Sequence, residues 1–232
     1  MCKRQQLIEE YFAPRGKRVA AIDIGVHNMA LAILEVQEGK ITDICTLENT
    51  DITVFPCMAV QQHSDSKQRR NPCPLHHSKT MADWIAHYIE QFRSQLESSD
   101  VILIERQPPA GFKCAEQLIF SEFRNNAVLV APNSLHKHYH TAAMCYETRK
   151  AAMVKIAQHK FSRFEKVVNW DPLCRLHDMA DALLIASYYI DALNLQQNQT
   201  KTKKAKRQIT TQTIACDRHF EQFRFIKESI HL

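Results

Sequence analysis

Four acidic residues beside apolar runs are the part of this sequence best suited to chemistry. Asp23 ends the run VAAI, Glu105 ends the run VILI, and the stretch LHDMADALLIA contains Asp178 and Asp181. A carboxylate that is taken out of water without a partner is costly. These acids therefore predict a bound metal ion or a site that handles phosphate.

The spacing of the four acids predicts that they meet. Asp178 and Asp181 are three residues apart, so both project from one face of a helix. Asp23 and Glu105 end two strands that we expect to be adjacent and parallel. If the helix crosses these strand ends, four carboxylates converge, and like charges share a small volume only when a cation neutralises them. Hard oxygen ligands with open positions suit Mg²⁺ or Mn²⁺, and two such ions about 4 Å apart promote phosphodiester hydrolysis by activating a water and stabilising the leaving oxygen.

The elements that must position these acids follow from the apolar pattern. Strands are expected at residues 19–23, 29–37 and 41–47, and their short connections indicate an antiparallel meander. Ser78 is the expected N-cap of an amphipathic helix, which leads into a buried strand at residues 101–104. A helix and then a strand after a meander predict that this strand runs parallel to the first.

The rest of the chain is expected to complete an α/β fold with a mixed five-stranded sheet. We predict a helix at residues 112–125, a fifth strand at 127–131, a helix at 148–161 and a last apolar helix at 178–195. Residues 18–195 then form one domain. An N-terminal arm, residues 1–17, precedes it, and a basic linker and tail, residues 196–232, follow it.

Charge and cysteine content narrow the class of protein. Lys plus Arg exceed Asp plus Glu by 30 − 25 = 5, which weakly favours a polyanionic partner, although many proteins of this charge bind no nucleic acid. Eight scattered cysteines without a signal peptide indicate reduced thiols in the cytosol or nucleus. The longest apolar runs are shorter than a membrane span, so we expect no membrane partner. Four glycines argue against a glycine-rich nucleotide loop.

The proline-containing region at residues 48–79 is expected to be a long loop. It contains Cys57, Cys73, His76 and His77, and the spacing Cys73-Pro-Leu-His76 is compatible with a structural zinc site. These residues do not follow a recognised zinc-binding pattern. Unliganded loop residues are therefore the favoured interpretation, and a zinc site is the alternative.

Three stretches resemble the acidic motifs of one nuclease family. IDIGVHN, LIERQPP and LHDMADALLIA, in this order, are similar to those of the RuvC-like Holliday junction resolvases, above all those of poxviruses and related large DNA viruses. The similarity covers residues 19–190. The Glu-Arg-Gln-Pro block is fairly specific, whereas many phosphate-handling folds share Asp-Ile-Gly.

The resemblance implies a ribonuclease H-like fold and a homodimer that nicks four-way DNA junctions symmetrically. It implies Mg²⁺ as the cofactor, with Mn²⁺ as a substitute, and an intracellular location, which is the host cytoplasm if the source is a virus, with the nucleus as an alternative. The metal ligands that it implies are Asp23, Glu105, Asp178 and Asp181. His177, which precedes the third acid, is either a residue that supports the ligands or a plain surface histidine.

The family also has basic residues between the fifth strand and the last helix that contact the scissile phosphate. Lys137, Arg149 and Lys150 lie in that region. A polar segment after Leu195 carries a cluster of cations that we expect to touch DNA phosphates unless it is only a solubilising or localisation segment. Its residues are Lys201, Lys203, Lys204, Lys206 and Arg207.

A four-way junction has two-fold symmetry, so two opposed nicks call for two chains related by a two-fold axis. The expected interface is the helix after Glu105, which carries more apolar surface than one buried face needs. Its residues are Leu118, Ile119, Phe120 and Phe123. The alternative is that all four pack inside the monomer.

Three other functions compete with the resolvase hypothesis. An actin-like or sugar-kinase-like ATPase also begins with Asp-Ile-Gly, but it needs two such domains and more glycine. An RNase H-type or ribosomal-RNA-processing nuclease would keep the fold and change the substrate. A non-catalytic DNA-binding protein would use the acids for structure alone, although all four acids are present.

Overall fold

The structure, a computed structural model, describes residues 17–55, 57, 73–165, 167–168, 170, 175–195 and 200. The chain divides into two units, residues 1–190 and residues 191–232. In the second unit, residues 191–195 are helical. The predicted basic cluster at residues 201–207 and all of the predicted N-terminal arm except Lys17 lie outside the described residues.

A mixed five-stranded sheet with the strand order β3-β2-β1-β4-β5 forms the centre of the first unit. Its strands are β1 (Lys17–Ile24), β2 (Asn28–Gln37), β3 (Lys40–Asp51), β4 (Val101–Glu105) and β5 (Ala127–Val130). The first three strands pair antiparallel, β4 runs parallel to β1, and β5 runs parallel to β4. The predicted meander followed by parallel strands is confirmed.

The turn between β1 and β2 is tight because of Gly25. A Cβ atom at this position would collide with the carbonyl oxygen of Asn28. Only glycine fits this approach without a shift of the backbone. The turn therefore holds the end of β1, with Asp23, directly against the start of β2.

Five helices accompany the sheet in the described part of the first unit. They are α1 (Met81–Glu97), α2 (Lys113–Glu122), α3 (Pro132–His138), α4 (Tyr146–Lys160) and α5, which takes up residues 176–190. The short α3, with a proline in its first turn, was not predicted. No helix among the described residues is long and apolar enough to span a membrane.

The N-cap of α1 corrects one sequence expectation. Thr80, not Ser78, occupies this position, and its side chain accepts a hydrogen bond from the backbone N–H of Asp83. The Ser78 N–H donates instead to the Asp83 carboxylate, at 2.6 Å. Ser78 therefore ties the segment before the helix to its first turn.

Alternation along the strands gives the sheet two covered faces. On one face, Ile22 and Ile104 pack with the apolar stripes of α1 and α2. On the other face, Ala21 and Leu103 pack with α4 and α5. The residues of α5 from Ala182 to Ala186 are at most 1% exposed, so this helix is buried all round in its middle. Residues Asp23 and Glu105 have the same parity as Ala21 and Leu103, which places them on the α5 face.

Candidate active site

Strand register brings Asp23 and Glu105 side by side. Ile22 is the parallel partner of Ile104, so the next residue of each strand lies at the same level. The two carboxyl groups share a hydrogen bond. The adjacency that the sequence predicted for the two strands is therefore present, and it juxtaposes their terminal acids.

The same level of the sheet continues across β2 and β3. Asp23 pairs with Ala30, and Ala30 pairs with Asn49. One row across the sheet thus reads Asn49, Ala30, Asp23 and Glu105, all with side chains on the α5 face. The methyl group of Ala30 leaves room in this row between the carboxamide and the carboxylate.

Helix α5 brings the other two acids to this row. Asp178 and Asp181 both act electrostatically on Asp23. Asp178 is 7% exposed and Asp23 is 9% exposed, so these charges are largely removed from solvent. The structure therefore gathers all four acids that the sequence singled out.

Burial and mutual repulsion change the acidity of this cluster. Burial raises the pKa of Asp23 well above its usual value, and the neighbouring Glu105, Asp181 and Asp178 raise it further. Burial also raises the pKa of Glu105. It raises the pKa of Asp181 to about 7, against the opposing effect of the Lys150 charge. Carboxyl groups in such an environment are stabilised in the ionised form by a nearby cation.

Asp178 is contacted by nitrogen atoms of Arg175, His177 and Asn49. Arg175 Nε lies 2.8 Å from its Oδ2, and His177 Nε2 lies 3.1 Å from its Oδ1. Asn49 Nδ2 donates to Oδ2 at 3.5 Å. The contact of His177 with Asp178 favours the supporting role over that of a plain surface histidine.

The donor set fits a hard divalent cation. All candidate ligands are oxygen atoms, as Mg²⁺ prefers. The carboxamide oxygen of Asn49 is buried and accepts no hydrogen bond from any residue that the structure describes, so a further oxygen donor lies unused beside Asp178. Asp23, Glu105 and Asp181 could hold an ion together. Asp178 would bind the ion only by giving up its contact with Arg175 or with His177.

Glu105 is held in place by a network that was not predicted from the sequence. Gln107 Nε2 donates to Glu105 Oε2 at 2.7 Å and to the carbonyl oxygen of Ile24 at 3.5 Å. The Gln107 N–H donates to the carboxylate of Glu116 at 2.5 Å. Glu116 is 1% exposed, and Lys113 Nζ, 2.9 Å away, pairs with its charge. The network connects the end of β4 to β1 and to the first turn of α2.

Two of the predicted DNA-contacting cations lie near the acids. Lys150 acts electrostatically on both Glu105 and Asp181, and Arg149 acts on Asp181. Lys150 and His177 also line an open groove between α4 and the start of α5. Lys137 lies on α3, and no interaction of its side chain with the acids is observed among the described residues. The tail residues Lys201, Lys203 and Lys204 lie outside the described residues.

The four residues expected at a dimer interface do not behave alike. Ile119 is fully buried and Phe123 is 7% exposed, because both pack into the core under α1. These two residues offer no surface to a partner, which corrects that part of the expectation. Leu118 and Phe120 are only half-buried at the edge of the same core.

The sequence matches no protein-family model and no curated protein at a significant level. Its structure is nevertheless similar to solved structures of resolvases. The Fowlpox virus resolvase, in a complex with substrate Holliday junction DNA, matches with a TM-score of 0.54 and 18% identity over 76% of this chain and 98% of that chain. The yeast mitochondrial Holliday junction resolvase Ydc2 matches with a TM-score of 0.52 and 18% identity over 85% of this chain and 90% of that chain. The chain therefore has the ribonuclease H-like fold of the Holliday junction resolvases, as its three acidic motifs predicted.

Proposed function

We propose that this protein is a metal-dependent endonuclease that resolves four-way DNA junctions by paired symmetric nicks. The observation that carries the proposal is the register of β1 and β4, which sets Asp23 beside Glu105 under the two acids of α5. The similarity to the fold of known resolvases supports the choice of substrate. Lys150, next to the same acids, supports a phosphate-containing substrate.

The residues that would hold the metal are Asp23, Glu105, Asp178 and Asp181. Mg²⁺ is the proposed ion because the ligands are hard oxygen atoms, and Mn²⁺ should substitute for it. When bound, two such ions supply the activation of a water molecule and the stabilisation of the leaving oxygen.

The chain's own residues prepare this chemistry. Gln107 fixes the orientation of the Glu105 carboxylate. The buried carboxylate of Glu116, which the partly exposed Lys113 neutralises, fixes the backbone of Gln107. Such supporting hydrogen bonds orient ligands and tune their basicity. In this proposal, Lys150 offers a positive charge to the non-bridging oxygens of the scissile phosphate, and Arg149 neutralises a neighbouring phosphate.

Paired nicking requires two active sites, and the part of one chain that the structure describes forms one such cluster of acids at the strand ends. We therefore place the chain in a homodimer with an isologous interface. Leu118 and Phe120 on α2 are the candidates for its apolar part, since they remain partly exposed in the protomer.

The decisive test is a nicking assay on a synthetic four-way junction, compared with a linear duplex of the same sequence and with an RNA·DNA hybrid. Mg²⁺ should support junction cleavage, and EDTA should abolish it. Glu105→Gln and Asp178→Asn should lose cleavage and retain junction binding, because binding rests on cations. Glu90→Gln, which alters an exposed acid on α1, is the matched control and should cleave like the wild type.

Three results would contradict the proposal. Cleavage of the hybrid in preference to the junction would indicate an RNase H-type nuclease. Binding without cleavage in any divalent metal would indicate a DNA-binding protein. Near wild-type nicking by Glu105→Gln would remove that residue from the site.

A further inference from the structure

Two cysteines and two histidines converge at a place remote in sequence from the acids. Cys57 follows β3, Cys73 and His77 precede α1, and His87 lies in the second turn of that helix. One ligand atom from each of the four lies within 4.8 Å of all the others. His76, which the spacing in sequence grouped with the cysteines, is exposed and is not part of the cluster; His87 takes its place.

Three of the six separations between these atoms lie within about 0.5 Å of the edges of a tetrahedral zinc site. Zinc lies about 2.3 Å from sulfur and about 2.0–2.1 Å from nitrogen, so its ligands are separated by about 3.3 Å for two nitrogens and about 3.6 Å for sulfur and nitrogen. The two Nε2 atoms of His77 and His87 are 3.3 Å apart. Cys57 Sγ is 3.1 Å from His77 Nε2, and Cys73 Sγ is 3.7 Å from His87 Nε2.

The protonation of His87 leaves its Nε2 as a ligand. His87 Nδ1 lies 2.7 Å from the carbonyl oxygen of Asp83, and a carbonyl can only accept, so Nδ1 carries the hydrogen. In the neutral ring, Nε2 then presents a lone pair toward His77 and Cys73. A histidine that binds a metal commonly donates its other N–H to a backbone carbonyl in this way.

Residues around the cluster cover the two imidazoles and fix the position of the ligands. His87 is 6% exposed. The Phe55 ring packs on both imidazoles, with centroid distances of 5.0 Å to His77 and 4.5 Å to His87. The Asp83 carboxylate holds Ser78, the residue after His77, by its backbone N–H. An apolar cover and fixed ligand orientations are what a closed structural site requires.

We infer that Cys57, Cys73, His77 and His87 form a structural zinc site that joins the end of β3 to the start of α1. Two sulfur and two nitrogen ligands suit Zn²⁺ and are poorly suited to Mg²⁺. The set leaves no open position, so the ion would stabilise the fold and take no part in DNA cleavage. The inference stands independently of the nuclease proposal.

The test is the metal content of the full-length protein, purified without chelators from zinc-supplemented cells. Elemental analysis should find about one zinc ion per chain. Replacement by Co²⁺ should give the intense visible absorption of a tetrahedral site and a thiolate-to-cobalt charge-transfer band, and this measurement needs no variant. Cys73→Ser and His87→Ala should lose most of the zinc.

Matched control variants test whether the zinc depends on these four residues in particular. Cys114→Ser changes an exposed cysteine on α2, and His76→Ala changes the exposed histidine next to the cluster; both variants should keep the zinc. Glu105→Gln should keep the zinc even if it loses cleavage, so failure of the nuclease proposal leaves this result untouched.

The inference is overturned if the wild type contains no zinc and does not take up zinc or cobalt. It is equally overturned if mass spectrometry shows a Cys57–Cys73 disulfide in place of the metal. Zinc retained by both Cys73→Ser and His87→Ala would assign the ion to other ligands.

Discussion

The Gln107 side-chain amide faces the Glu105 carboxylate, with Nε2 2.7 Å from Oε2. The orientation of the amide is fixed, because the Gln107 Oε1 accepts a hydrogen bond from the Phe112 N–H at 3.4 Å. A residue two positions after a candidate metal ligand thus determines where that ligand points.

Gln107→Ala should lower junction cleavage by about 10–100-fold and raise the Mg²⁺ concentration needed for half-maximal rate. The physical reason is that Glu105 loses the donor that orients it, while its charge remains. Single-turnover cleavage against Mg²⁺ concentration measures both effects. Gln91→Ala, at an exposed site on α1, is the control. Equal metal dependence of the two variants would show that Gln107 does not position the ligand.

Lys150→Ala should lower the cleavage rate by about 100-fold, since it removes the charge that we propose stabilises the reacting phosphate. The free energy of junction binding should change by no more than the contribution of one phosphate contact. Lys155→Ala is the matched control, because Lys155 is an exposed cation on the same helix. Cleavage rates and gel-shift affinities of the two variants are the measurements. Equal rates for the two variants would exclude Lys150 from the site.

The raised carboxyl pKa values predict an unusual pH dependence of stability in the absence of metal. Folding raises the Asp181 pKa from 3.8 to about 7, so the folded protein binds protons more tightly than the unfolded chain. The free energy of unfolding of the metal-free protein should therefore fall as pH rises between about 4 and about 7. Mg²⁺ competes with these protons and should raise the melting temperature more at about pH 8 than at about pH 6.

Asp181→Asn isolates the contribution of this carboxyl group. In EDTA, the variant should be more stable than the wild type at about pH 8, and its melting temperature should depend less on pH. Scanning calorimetry with and without Mg²⁺ measures this, with Glu90→Gln as the exposed-acid control. A wild-type melting temperature that falls with pH no more steeply than that of Asp181→Asn would contradict the prediction.

Phe120→Asp should yield a folded monomer that nicks one strand at a time. Phe120 is partly exposed in the protomer, so a charge there should disrupt the dimer and not the fold. Phe123→Asp is the contrast, since it buries a carboxylate in the core and should unfold the chain. Sedimentation velocity and the ratio of nicked to resolved junctions are the measurements. A wild type that stays monomeric at micromolar concentration, even with junction bound, would defeat the dimer proposal.

Deletion of residues 196–232 should weaken junction binding and flatten its salt dependence. If all five cations of the tail contact phosphates, the slope of log K against log salt should become less negative by about 4.5. The cleavage pattern should change little. Circular dichroism must first show that the shortened chain is folded, because the deletion also removes an apolar segment. An unchanged slope would leave the solubility and localisation roles.

The antiparallel pairing of β1, β2 and β3 was predictable because apolar runs and short turns carry it locally. The end of β3, in contrast, could not be predicted from the local sequence. The sequence predicted a strand that stops at residue 47, since Glu48, Asn49, Thr50 and Asp51 are polar. In the structure these residues pair with β2 as far as the partnership of Asp51 with Asn28. Asn49 was missed because its place beside Asp178 depends on this pairing and not on its own neighbours in sequence.

The residues that support the two sites could not be predicted either, because their contacts form only in the folded chain. Glu116 reaches Gln107 only because residues 108–112 turn the chain back toward β4, and neither residue type indicates this by itself. His87 lies within α1, 30 residues after Cys57. A cysteine and a histidine so far apart do not form a recognisable metal-binding pattern in the sequence. The type of residue at position 78 also did not indicate that the Ser78 N–H bonds the Asp83 carboxylate while Thr80 caps the helix.

The contribution of two acids by α5 has a consequence for biosynthesis. The cluster combines residues of β1, β4 and a helix that is translated 178 − 105 = 73 residues after Glu105. At about 5–20 residues per second, a ribosome needs about 4–15 s to cover this interval. During that time the apolar face of the sheet lacks its covering helix, and the carboxylate cluster does not exist. The nascent chain therefore lacks this cluster of carboxylates until α5 docks, and the same event covers an apolar face of the sheet.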